Sequence, residues 1–154
     1  MFAKKGADAT SLTLQEAIDA ALCEGWIDGQ GATWDERCFL VRFTPRRPRS
    51  KWSQINRARA AELVDMGRMR PAGAAEMEAA QRDGRWDGAY PSSRTAVPPP
   101  ELQAALDSDP AATERFAAMN RGDRYAFILA LANARRQATR DRRIERFLNP
   151  VVGA

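Results

Sequence analysis

"WIDGQGATWDERCFLVRF", residues 26–43, decides how this chain folds. Its first part, WIDGQGATW, and its second, CFLVRF, both read as strands, with Asp35 and Glu36 as turn residues between them. In the second part Phe39, Val41 and Phe43 fall on one side, and Cys38, Leu40 and Arg42 on the other. The expectation is a hairpin or a pair of adjacent antiparallel strands.

Upstream, Thr13 and Glu16 have the spacing of a capping box, and Leu14, Ile18, Ala21 and Leu22 recur on one helical face. That predicts a helix over about residues 13–24, stopped at Gly25. Downstream, Pro45 and Pro48 end the sheet. Ser50 then stands as the cap of a helix carrying Trp52, Ile55, Leu63 and Met66 and closing at Gly67. Pro71 suits the first turn of another helix, reaching about Arg82 before Gly84.

YPSSRTAVPPP, residues 90–100, reads as a linker, because its prolines cannot continue a helix. Beyond it the pattern is helical. A short helix runs from Pro100 to Leu106, Asp109-Pro110 caps and opens the next, and Asp123 precedes the apolar run YAFILALA. Thr139 is placed to cap a last amphipathic helix through Ile144, Phe147 and Leu148, stopped by Asn149-Pro150. The fold class is therefore α+β: an N-terminal helix, a small antiparallel sheet, then a predominantly helical remainder ending in a helical arm. In domain terms, residues 1–89 form an α+β domain that holds the basic segment RFTPRRPRSKWS. Residues 90–100 link it to a helical part, 101–154, packed on the first.

Composition removes several function classes. At 154 residues the chain is long enough to bury a core without staples. No apolar run approaches the about 18 residues that span a bilayer. The start, MFAKKGADATS, lacks the apolar stretch of a secretory signal. Cys23 and Cys38 are the only cysteines, which fits a reducing cytoplasm. The chain has no histidine, so Ser-His-Asp and Cys-His catalysis are absent, and two cysteines alone make no standard zinc site. No P-loop or GxGxxG occurs, and the GQG at 29–31 is a lone turn. No cofactor and no metal are expected, and no residue is assigned a catalytic role. The residues favour a binding protein over an enzyme, an enzyme of unknown type remaining the lesser reading.

Charge is more informative by segment. Net charge is −4 over residues 1–41, +7 over 42–70, −4 over 71–110 and +5 over 111–154. Two strongly basic blocks thus hide inside an overall +4. In the first, Arg46, Arg47, Arg49 and Lys51 lie between a strand end and a helix start, where guanidinium forks and helical N–H groups meet an anion. Asp28, on the companion strand, is in register to hold Arg42. Trp52 either plugs the core beneath the loop or stacks on a ligand, with the core favoured because Ile55 and Leu63 share its helical face. The candidate binding residues are Asp28, Arg42, Arg46, Arg47, Arg49, Lys51 and Trp52. The partner is an anionic ligand or an acidic protein. Nucleic acid is the rival, from a pI near 9.6 and six arginines between 135 and 146.

EAIDAALCEGWIDGQ, DERCFLVRFTPRRPRSKWSQIN, GRMRPAG, DGRWDGAY and RRIERFL, in that order from about Lys4 to Leu148, resemble the bacterial YdeI/OmpD-associated family, also labelled bacteriocin-protection proteins. The resemblance implies a cytoplasmic accessory protein linked to antimicrobial-peptide or envelope stress, and no catalytic mechanism. Family members usually carry an additional strand before the KKG. Here RPAG stands in place of the TPAG that the family pattern implies, which removes a threonine cap before the Pro71 helix.

Overall fold

The computed structural model describes residues 1–7 and 11–150, which divide into two units, one ending at Tyr90 and one beginning at Pro91. The α+β class holds, with helices throughout and one small antiparallel sheet.

The first unit begins with β1 (Phe2–Ala3) and α1 (Leu14–Cys23). Both halves of the capping box form: the Glu16 amide donates to Thr13 Oγ1 at 3.1 Å, and the Thr13 amide donates to Glu16 Oε2 at 2.8 Å. The Thr13 amide and the Thr13 hydroxyl, both donating to Glu16 Oε2, hold that carboxyl below its ordinary pKa. Gly25, at φ +72°, ends the helix in the left-handed conformation that costs glycine least.

The deciding stretch folds as β2 (Trp26–Thr33) and β3 (Cys38–Pro45), paired antiparallel. Asp35 shapes the turn by accepting from the amides of Arg37 and Cys38, both at 2.7 Å. β1, absent from the sequence reading, adds to the other side of β3, giving the order β1-β3-β2. Two residues carry no periodicity to read. What fixes them is Phe2, which packs on Phe39 and Phe43 with ring centroids 5.5 and 6.3 Å away.

α2 (Gln54–Asp65) is capped by Ser53, whose Oγ accepts from the Asn56 amide at 3.0 Å. Ser50 is not the cap, because its hydroxyl accepts instead from the Arg47 amide in a tight turn. Trp52 therefore precedes the helix and is 1% exposed, whereas Ile55 lies open at 61%. The tryptophan is core, but not through the face it was expected to share with Ile55. α3 (Pro71–Arg82) starts on proline after Arg70, which makes no side-chain cap bond. Leu22, Cys23, Trp52, Ala60, Leu63, Met77 and Ala80 form the core of this unit.

In the second unit residues 91–99 have no regular structure, and four helices follow: α4 (Pro100–Ser108), α5 (Pro110–Ala118), α6 (Arg121–Ala132) and α7 (Gln137–Leu148). Asp109 caps α5 as expected, accepting from the Ala112 amide at 2.9 Å. The cap of α6 is Asn120 rather than Asp123, whose amide donates to Asn120 Oδ1 at 2.9 Å. The cap position of α7 is Arg136, one turn before the expected Thr139, and it makes no side-chain cap bond. Leu102, Leu106, Ala112, Leu131 and Ile144 fill the centre, with Phe116, Phe127 and Phe147 packed around them.

Candidate anion-binding turn

The segment between β3 and α2 leaves the sheet at Pro45 and enters the helix at its cap, Ser53, so its backbone donors and acceptors must find partners off the sheet. The Arg46 amide donates to Gly25 O at 3.0 Å, pinning the start of the segment to the end of α1. Arg47 and Ser50 then bond to each other twice, Ser50 N to Arg47 O at 2.8 Å and Arg47 N to Ser50 Oγ at 2.9 Å. Arg85 Nη1 donates to Ser50 O at 2.9 Å from below. At the far end Trp52 O accepts from the Tyr90 amide at 3.0 Å, and the Gln54 amide donates to Tyr90 O at 2.8 Å. The turn is thus tied down along its whole length.

The seven candidate residues separate into three groups. Arg46 and Trp52 are interior: Arg46 is 6% exposed, and its guanidinium carbon lies 3.7 Å above the Trp52 ring. This is a desolvated cation–π contact. Trp86 also packs on Trp52, edge-on, with ring centroids 4.9 Å apart. Burial pushes the Arg46 pKa down to about 10, opposed by the negative charge of Glu76 and, more weakly, of Asp28. The group stays protonated at neutral pH. Its Nη1 donates to Lys51 O at 3.2 Å, while Nε, Nη2 and Trp52 Nε1 find no acceptor among the described residues.

Arg47, Arg49 and Lys51 are exposed, and Arg47, Pro48, Arg49 and Ser50 line a shallow concavity. Among the described residues neither Arg47 nor Arg49 has a carboxylate partner.

Arg42 and Asp28 are not brought together. The register sets Asp28 opposite Phe43, and a bulge follows between Asp28 and Gly31. Neighbouring strand residues point to opposite faces, so Arg42 projects away from Asp28. Asp28 acts instead on Arg46.

A buried ionic cluster escaped the sequence reading. Asp19, on α1, is 4% exposed and is held by Arg59 of α2, with Gln15 donating to Oδ1 at 2.9 Å and Arg68 Nη1 3.7 Å from Oδ2. The signal was present: Asp19 lies three and four positions before Leu22 and Cys23, on the buried face, where a carboxylate requires a cation. The second basic block is also partly spent on structure. Arg140 pairs with Glu101 at 3.1 Å, and Arg143 donates to Ala130 O, joining α7 to α4 and α6.

Among the described residues no helix is long and apolar enough to cross a membrane, and no three His, Cys, Asp or Glu side chains gather as a metal site. Residues 1–76, which contain the GWIDG and RFTPRRPRSKWS motifs, match the family model of a domain of unknown function, DUF8412. Among curated proteins and among solved structures, none matches the chain. Residues 95–150, which contain RRIERFL, match the family model described as "Bacteriocin-protection, YdeI or OmpD-Associated", so the resemblance noted along the whole sequence has its support in the C-terminal segment.

Proposed function

We propose that the chain is a non-catalytic cytoplasmic accessory protein whose basic turn takes an anionic ligand or an acidic partner segment. The description matched by residues 95–150 supports a place in bacteriocin protection. One observation carries the binding reading. Arg47 and Arg49 stand exposed on a turn whose backbone is already bonded at both ends, with no carboxylate partner among the described residues. Two planar forks held on an ordered backbone lose little entropy on binding, and Pro48 between them stiffens the turn further.

The discriminating experiment is fluorescence anisotropy with a labelled peptide of alternating Asp and Glu and with a labelled short DNA duplex. The acidic peptide is expected to bind, to bind more weakly to R47K/R49K, and to be lost with R47A/R49A, all three proteins melting at the same temperature. Equal binding by the alanine variant sinks the reading. Tighter binding of the duplex, indifferent to lysine replacement and falling steeply with salt, favours a nucleic-acid partner instead.

A further inference from the structure

Within the second unit, Arg94, Arg121 and Arg124 line one cavity of about 500 Å³ whose remaining walls include Phe116, Tyr125 and Ile128. The volume lies within the range of small-molecule sites. No carboxylate lines it, and none of the three guanidinium groups has an ion-pair partner among the described residues. The nearest acid in sequence, Asp123, is engaged elsewhere, accepting from Asn120 Nδ2 at 2.6 Å.

The arginines come from two separate pieces of chain, so their convergence is a product of the fold. Arg94 sits in a turn closed by the Ala96 amide on Ser92 O at 2.8 Å and by the Ser92 and Thr95 hydroxyls at 3.0 Å. Tyr125 Oη donates to Pro91 O at 2.8 Å and so fixes that segment against α6, which carries the other two arginines. Three like charges around one concavity repel each other, and a bound anion removes that cost. Arg94 and Arg121 are exposed, whereas Ile128 on the apolar wall is buried.

The geometry points to a site for a phosphate monoester with an apolar or aromatic body. Three guanidinium forks supply more donors than one carboxylate accepts, whereas a phosphate dianion presents oxygens to all three. Phe116 and Ile128 then receive the ester group. The site shares no residue with the turn at residues 46–51 and does not depend on the reading given to it.

Isothermal titration calorimetry on the full chain with phenyl phosphate, inorganic phosphate and phenol tests this. Phenyl phosphate is expected to bind more tightly than inorganic phosphate, with phenol silent. R94Q/R121Q/R124Q is expected to weaken it by at least about tenfold, and R124K alone by less, because lysine keeps the charge but not the fork. R142Q, which changes an exposed arginine outside the cavity, serves as the control and leaves the affinity unchanged. No saturable heat from phenyl phosphate overturns the assignment. So does a triple variant that melts like the wild type and binds as well, or loss of binding in the control.

Discussion

Arg59 grips Asp19 with two donors, Nε at 2.8 Å from Oδ1 and Nη2 at 2.5 Å from Oδ2, across 40 positions of sequence. The pair joins α1 to α2 at a carboxylate that solvent scarcely reaches. Removing the charge by Asp19→Asn leaves Arg59 and Arg68 facing a neutral amide. A loss of about 2 kcal/mol is expected in urea unfolding of the chain, below the full value for a dry pair because Arg59 remains a quarter exposed.

The same contact gives an acid sensitivity of known sign. The Arg59 hydrogen bonds hold the Asp19 carboxyl at about 2, from an ordinary 3.8. A depressed carboxyl pKa means the unfolded chain takes up the proton first. The stabilisation is therefore complete above about pH 4 and is lost as pH falls toward 2. Urea midpoints measured from pH 6 to 2 should fall more steeply for the wild type than for Asp19→Asn; parallel curves would disprove the role.

Arg46 and Arg47 are adjacent in sequence and opposite in consequence. Arg46→Lys replaces a buried guanidinium stacked on Trp52 by an ammonium that cannot lie flat on the ring, with an expected cost of about 1–3 kcal/mol. Arg47→Lys changes an exposed side chain and is expected to shift stability by less than about 0.5 kcal/mol. Differential scanning fluorimetry of the two variants side by side decides it.

Gly73 marks where α3 meets the end of α1. A Cβ at that position would stand 2.4 Å from Cys23 O and 2.6 Å from Leu22 O, both backbone atoms that cannot swing away. Gly73→Ala is expected to destabilise by about 1–3 kcal/mol despite alanine's better helix propensity. A variant as stable as the wild type would show that α3 has room to shift.

Cys23 is buried and Cys38 is partly open. A chromogenic disulfide reagent is expected to titrate Cys38 under native conditions and Cys23 only after denaturant is added. Native modification should leave acidic-peptide binding at the turn unchanged. Two fast thiols would show that the core around α1 opens far more readily than its packing implies.

The sequence made much of the helical frame legible because caps and breakers act locally. Thr13 with Glu16, Asp109 with Pro110, and Pro71 each fix a helix start within one turn of chain. Local signals failed where a second candidate of the same chemistry stood nearby. Ser50 and Ser53 are both capping residues, and only the turn at Arg47 shows which hydroxyl is already engaged. Asn120 and Asp123 present the same ambiguity. At the candidate turn the sequence marked the right segment and not the division within it. Nothing in a run of arginines tells which one lies on a tryptophan, because that follows from Trp86 and Arg85 more than thirty residues away. β1 was illegible for the same reason, its two residues being defined by rings on β3.

Tyr90 also bears on how the first unit is made. Its backbone pairs with Ser53 as an isolated bridge, its amide and carbonyl reaching to either side of that residue over buried Trp52. On a ribosome the chain emerges from its N-terminus, so Trp52 is synthesised long before the segment that seals it. Until residue 90 has cleared the exit tunnel, the largest side chain of this core lacks Trp86 beside it and its backbone lacks the Tyr90 pairing. The unit therefore completes late in its own translation.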